Sequence, residues 1–83
     1  MFFDLFRSQS EASKALLRAV ASENVVSQPT SKVFLSAHSL GAASTVASAI
    51  ENLLSRELLY KSENGYMVYD RLFGIWLRRD MAG

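Results

Sequence analysis

The chain has 83 residues, 49% of them hydrophobic, and nine Lys and Arg against eight Asp and Glu give it a net charge of +1. That length makes one small domain hiding about 60% of its unfolded surface, and the composition is too apolar for a disordered chain. With no cysteine, a disulfide scaffold and a thiolate metal site are excluded and a reducing, cytoplasmic setting is expected; the near balance of charge lacks the positive excess of many nucleic-acid binders.

The opening MFFDLF carries Asp4 and no basic flank, which argues against a secretory signal. No apolar run reaches the ~20 residues of a membrane-spanning helix, so no membrane partner is expected. Phe2, Phe3, Leu5 and Phe6 make residues 1–7 a dense apolar arm. Ser8-Gln9-Ser10-Glu11 fits a capping box, with Ser8 as the cap. A helix is predicted from Gln9 to Ser22: Ala12, Ala15, Leu16, Ala19 and Val20 recur at helical spacing, opposite Glu11, Lys14 and Arg18.

Residues 23–30 read as a loop, stopped by Pro29. Thr30 or Ser31 caps a short helix over Lys32–Ala37, with Phe34 and Leu35 facing inward. Gly41 suits a turn that needs positive φ. A helix then runs from Ala43 to Arg56. Its inward stripe is Val46, Ile50, Leu53 and Leu54, and its outward face is Ser44, Thr45, Ser48, Glu51, Asn52 and Ser55. Two helices joined by a short Gly-containing turn over residues 31–56 match a helix-turn-helix.

Leu58–Ser62 and Tyr66–Tyr69 are β-prone, and Asn64-Gly65 between them suits a type I′ turn, whose two central residues both need φ > 0. In this hairpin, residues 58–69, Leu59 and Val68 point to the core and Lys61 outward. Asp70 caps a closing helix over residues 70–81, with an inward stripe of Leu72, Phe73, Trp76 and Leu77. Arg78 and Arg79 favour the dipole at its end. The expected architecture is a single domain over residues 1–83, mainly α with a small β-hairpin: a winged helix-turn-helix of three helices, a two-stranded wing and a closing helix.

The stretches LFRSQSEASKALLRAVA, PTSKVFLSAHSLGAASTVASAIENLLSRELLY and GYMVYDRLFGIWLRR resemble the C-terminal winged-helix domain of archaeal and bacterial AAA-type ATPases across nearly the whole chain. The similarity is densest at Leu40-Gly41, Ser44-Thr45-Val46, Leu53-Leu54, Tyr66, Tyr69-Asp70, Phe73 and Trp76-Leu77. Many variants carry Pro after the Asp, where Arg71 stands in this chain. The resemblance implies a nucleotide-binding core elsewhere, because these residues contain no G-x-x-x-x-G-K-[ST] loop and only four glycines. The sequence is compatible with a free-standing module or with an excised domain.

No catalytic residue, cofactor, metal or small-molecule substrate is expected. His38 is a lone histidine, short of the three or four ligands of a zinc site. Ser36-Ala37-His38-Ser39-Leu40-Gly41 places Ala37 where a nucleophile elbow needs glycine. Two binding classes remain. The leading one is a non-enzymatic interaction module docking a protein partner, or a second copy as a homodimer, through Phe2, Phe3, Phe6, Phe73, Trp76 and Leu77. The alternative is duplex DNA, read through Ser44, Thr45, Ser48 and Asn52 with Arg56 and Lys61 on phosphates. DNA is not favoured, because no Lys or Arg lies between Lys32 and Arg56 and Arg or Lys to guanine is the commonest specific contact.

Overall fold

The computed structural model describes residues 7–81. Its elements are α1 (Glu11–Glu23), α2 (Lys32–His38), α3 (Ala43–Ser55), β1 (Leu59–Ser62), β2 (Gly65–Val68), α4 (Arg71–Trp76) and a π-helical turn, Leu77–Met81. Four helices and one antiparallel hairpin are thus present, as the expected architecture requires. The arm placed on residues 1–7 lies, apart from Arg7, outside the described residues.

The first helix starts two residues later than the spacing suggested. Ser10, not Ser8, is the cap: its Oγ accepts from the Ser13 amide at 3.2 Å. This frees Ser8 to accept from Gln9 Nε2 at 3.0 Å. Leu16, Leu17 and Val20 are fully buried where α1 packs on α3, on β2 and on the C-terminal turn. Ser13 is also buried, and Asn52 Nδ2 of α3 donates to its Oγ at 3.5 Å. A small residue at this point lets the two helices approach closely.

Ser31 caps α2 by accepting from the Phe34 amide at 3.2 Å. The helix stops at Ser39, which adopts left-handed φ 53°, ψ 48°. The Leu40 amide donates to the Leu35 carbonyl at 3.0 Å, so orphan carbonyls are satisfied before Gly41, itself at φ +85°, turns the chain. The axes of α2 and α3 meet at 84°, near the angle expected of a helix-turn-helix. Val46, Ala49, Ile50 and Leu53 are the buried stripe of α3; Leu54, expected among them, is half-buried.

Glu57 ends α3 in a Schellman arrangement. Its amide donates to the Leu54 carbonyl at 3.1 Å and the Leu58 amide to the Leu53 carbonyl at 2.9 Å. Leu53 and Leu58 are both buried, supplying the apolar contact that goes with this motif. Glu57 stands at φ 60°, where glycine is the usual residue.

The wing departs from expectation in its turn. Ser62 pairs with Gly65, so the turn residues are Glu63 and Asn64, and neither has positive φ. The type I′ turn on Asn64-Gly65 is therefore not formed; Gly65 alone takes positive φ, at +137°. Leu59 and Val68 pair across the hairpin with Leu59 in the core, as predicted. Lys61 shares the Leu59 face, because residues two apart on a strand point the same way. Lys61 is nevertheless exposed, as expected, with its Nζ 5.6 Å from the Tyr66 ring centroid.

A contact invisible to local patterns ties the wing down. Val26, in the loop after α1, forms an antiparallel bridge with Tyr66. Each amide donates to the other's carbonyl, at 3.0 and 2.8 Å. Gly65 lies against this loop, and a Cβ there would fall 2.4 Å from the Val26 carbonyl oxygen.

Asp70 caps α4, its Oδ1 accepting from the amides of Leu72 at 2.8 Å and Phe73 at 3.3 Å. Phe73 and Leu77 are buried, one turn apart, and the Phe73 ring stacks on Trp76 with centroids 5.9 Å apart. Leu72, expected on the inward stripe, is 65% exposed. It sits about 100° around the helix from Phe73, off the face set by Phe73 and Leu77.

Two stability effects follow. Gly65→Ala is expected to cost about 3 kcal/mol in urea unfolding, because backbone must move to admit the methyl group. Glu57→Gly is expected to stabilise by about 0.5–1 kcal/mol, the left-handed penalty less the added chain entropy.

Candidate interaction surfaces

Three surfaces compete as binding sites. The first is the outward face of α3. Ser44, Ser48, Glu51 and Ser55 follow each other at helical spacing on its exposed side, and all four are exposed. Thr45, Ser48, Asn52 and Arg56 turn toward α1, where they border an open groove with Ser10 and Ser13. Asn52 is half-buried in that seam, bonded to Ser13 as described and accepting from Arg56 Nε at 3.2 Å on its Oδ1. Lys61 stands on the other flank of α3, bordering a second groove with Ala47, Ile50, Glu51 and Leu54. The six residues proposed for DNA contact therefore do not converge. Arg56 and Lys61 flank α3 on opposite sides, with Glu51 on the exposed face between them.

The second surface is the aromatic one. Phe2, Phe3 and Phe6 lie outside the described residues. Phe73 and Leu77 are 0% and 1% exposed, so both belong to the core of this chain and neither offers a surface. Periodicity correctly made them apolar-face residues, but the same burial removes them as docking groups. Trp76 is half-buried and packs against the core, as expected of the inward stripe. Exposed Leu72 and half-buried Ile75 leave α4 with apolar residues on its outer side as well. A surface helix ordinarily turns polar residues outward.

The third surface is the outer face of the wing, which the sequence reading did not single out. Tyr60 and Met67 are cross-strand partners on the side away from Leu59 and Val68. The Tyr60 hydroxyl donates to Met67 Sδ at 3.3 Å. Its ring meets Tyr69 edge-on, centroids 5.7 Å apart and planes at 80°, a favoured aromatic geometry. Tyr69 is 58% exposed. Strict alternation from Leu59 was the available signal: it sends Tyr60 to the face away from the core.

Arg78 reaches from the C-terminal turn to the end of α1. Its Nη1 donates to the Ala21 carbonyl at 3.5 Å and to Asn24 Oδ1. Asn24 has φ 68°, ψ −54°, and the Val25 amide closes a tight turn by donating to the Glu23 carbonyl at 2.8 Å. This is the rare γ-turn of positive φ, a strained conformation. The guanidinium thus does more than answer a helix dipole. It holds the strained residue that reverses the chain toward Val26.

His38 ends α2 and its Nε2 lies 2.5 Å from Glu23 Oε2, with its ring tilted against Phe34 at 4.8 Å. The pair links the ends of α1 and α2. Among the described residues no three His, Cys, Asp or Glu side chains are grouped to hold a metal. Lys14 pairs with Glu11 at 2.6 Å, and this hydrogen bond, then the charge, holds the exposed Glu11 carboxyl below its ordinary range. An exposed pair of this kind adds little to stability.

Together these elements define a winged helix: an α1–α2–α3 helical unit, a hairpin wing tied to the first interhelical loop, and a closing helix under it. The chain matches the family described as a probable winged helix domain over residues 1–79, and it belongs to that family. No curated protein matches it, and no solved structure does.

Removing the Arg78 clamp is expected to loosen the α1 end. Arg78→Ala should lower stability by about 1 kcal/mol in chemical denaturation, a hydrogen-bond loss from a charged donor discounted for its exposure.

Proposed function

We propose that this winged helix is a non-enzymatic, cytoplasmic interaction module that docks a protein surface, a second copy of itself included. The observation that carries the reading is the apolar outer side of α4: Leu72 is 65% exposed beside half-buried Ile75. An exposed apolar patch marks an interface, and a second copy related by a two-fold axis is a common way to cover one. The scatter of Arg56 and Lys61 to opposite flanks of α3, and Glu51 between them, supports protein over DNA. Duplex DNA remains the second reading, favoured by the fold and by the exposed Ser44 and Ser48 on α3; fold alone is a weak warrant for function.

The likeness to C-terminal domains of AAA-type ATPases gives this reading a setting. A module of that kind would rest against an ATPase core, on the same chain or another, and report its nucleotide state. No residue of this chain is assigned to ATP in that role. The non-enzymatic reading draws support from the scattered positions of the carboxylates, which no spacing pairs for acid–base work. No single helix among the described residues is long and apolar enough to cross a membrane.

Two measurements test it. Sedimentation velocity over a micromolar range is expected to show concentration-dependent association that Leu72→Glu abolishes; a soluble, strictly monomeric wild type would end the self-association version. A labelled duplex titrated at ~50 mM salt is expected to show no saturable binding, and binding that weakens steeply as salt rises would install the DNA reading instead.

A further inference from the structure

We propose that the groove between the outer face of the wing and α4 is a docking site for an acidic segment of a partner protein carrying an aliphatic or aromatic anchor. It rests on the protein-docking reading above and names the site and the chemistry of the partner. The groove is open and encloses about 520 Å³.

One wall is the aromatic platform. Tyr60 and Tyr69 are fixed edge-to-face, and the Tyr60 hydroxyl is anchored on Met67. These side chains are ordered before a partner arrives, so little rotamer entropy is lost on binding. Tyrosines held this way are frequent centres of binding energy.

The other wall carries Arg71 and Arg78. Arg71 is exposed and makes no ion pair among the described residues. Arg78 lines the groove and makes its hydrogen bonds to Ala21 and Asn24 through Nη1, so Nε and Nη2 are the donors it has left for a carboxylate. Asp70 is the carboxylate lining the groove, and its Oδ1 is spent on the amides of Leu72 and Phe73. Asp70 keeps its charge beside them, so the lining carries two guanidinium groups against one carboxylate. In a chain whose net charge is only +1, that excess of one positive charge gathers at this corner.

Guanidinium forks bind carboxylates in pairs of parallel hydrogen bonds. The floor between them, at Met67, Val68 and Gly74, offers apolar atoms to an aliphatic or aromatic side chain. A nucleic-acid backbone would satisfy the arginines but leave that floor covered by sugar and phosphate, so the peptide is the better fit. Glu51, Glu57 and Glu63 are separated along the chain, on α3, after it and at the wing tip, so a second copy presents no run of acidic residues beside an apolar anchor.

The test pans a random dodecapeptide phage library on the full chain and measures labelled hits by fluorescence anisotropy. Selected peptides are expected to set Asp or Glu beside Leu, Phe or Trp, and to bind more weakly as salt rises. Arg71→Glu and Tyr69→Ala should each weaken binding about tenfold or more, and Leu72→Glu, outside the groove, less than about twofold. Circular dichroism melts establish that the variants are folded, and Arg71→Lys should recover part of the affinity. The proposal is overturned by hits without acidic residues, by no hits, or by affinity indifferent to Arg71→Glu. It is equally overturned if a thymine oligonucleotide binds in an Arg71-dependent way, or if Tyr69→Ala abolishes self-association. Should the peptides fail while Leu72→Glu still disrupts association, the docking reading stands and only this site falls.

Discussion

The backbone bridge between Val26 and Tyr66 is the constraint on which the rest of this small domain depends. Two hydrogen bonds, at 3.0 and 2.8 Å, tie the hairpin to the loop after α1. A two-stranded hairpin alone is marginal in water; this one becomes part of a layer anchored to the helices. The bridge decides which wing face turns inward, and it brings Gly65 so close to Val26 that no side chain fits. It also explains the strained turn at Asn24. The chain must leave α1 and reverse at once to place Val26 alongside β2, and Arg78 from the far end of the sequence holds that reversal.

The same constraint shapes the surfaces. With Leu59 and Val68 committed inward, Tyr60 and Met67 are turned out beside Tyr69. With Phe73 and Leu77 taken by the core, α4 presents exposed Arg71 and Leu72 beside half-buried Ile75. Exposed apolar and aromatic side chains therefore gather at the wing and α4, just C-terminal to the helix-turn-helix. The exposed face of α3 carries Ser44, Ser48, Glu51 and Ser55, and Arg56 and Lys61 border different grooves on its two flanks.

Much of the fold was legible because local rules and tertiary demands agreed. Asp70 was readable as a cap, and the cap of α2 was narrowed to Thr30 or Ser31, since a side-chain oxygen just ahead of an apolar run has few other uses; the structure chose Ser31. Phe34, Val46, Ile50 and Leu53 were readable as core from helical period. The errors came where two local rules competed. Ser8 and Ser10 both precede the first helix, and packing of Ser13 against α3 decided for Ser10. Asn64-Gly65 is a strong turn signal, but the glycine was needed one place later, against Val26. Of the candidate sites, the sequence pointed to apolar residues near the C-terminus and could not say which were spent inside.

Sequence alone determined the element order, the helix-turn-helix, the hairpin and the closing helix, because spacing, caps and breakers act over a few residues and survive without knowledge of neighbours. Tertiary structure alone decided the Val26–Tyr66 bridge, the Arg78 clamp on Asn24, the fates of Phe73 and Leu77 as core against Leu72 as surface, and the meeting of two tyrosines with two arginines in one groove. Each of these joins residues on different elements, and their proximity is set by how the helices and wing pack rather than by any pattern along the chain.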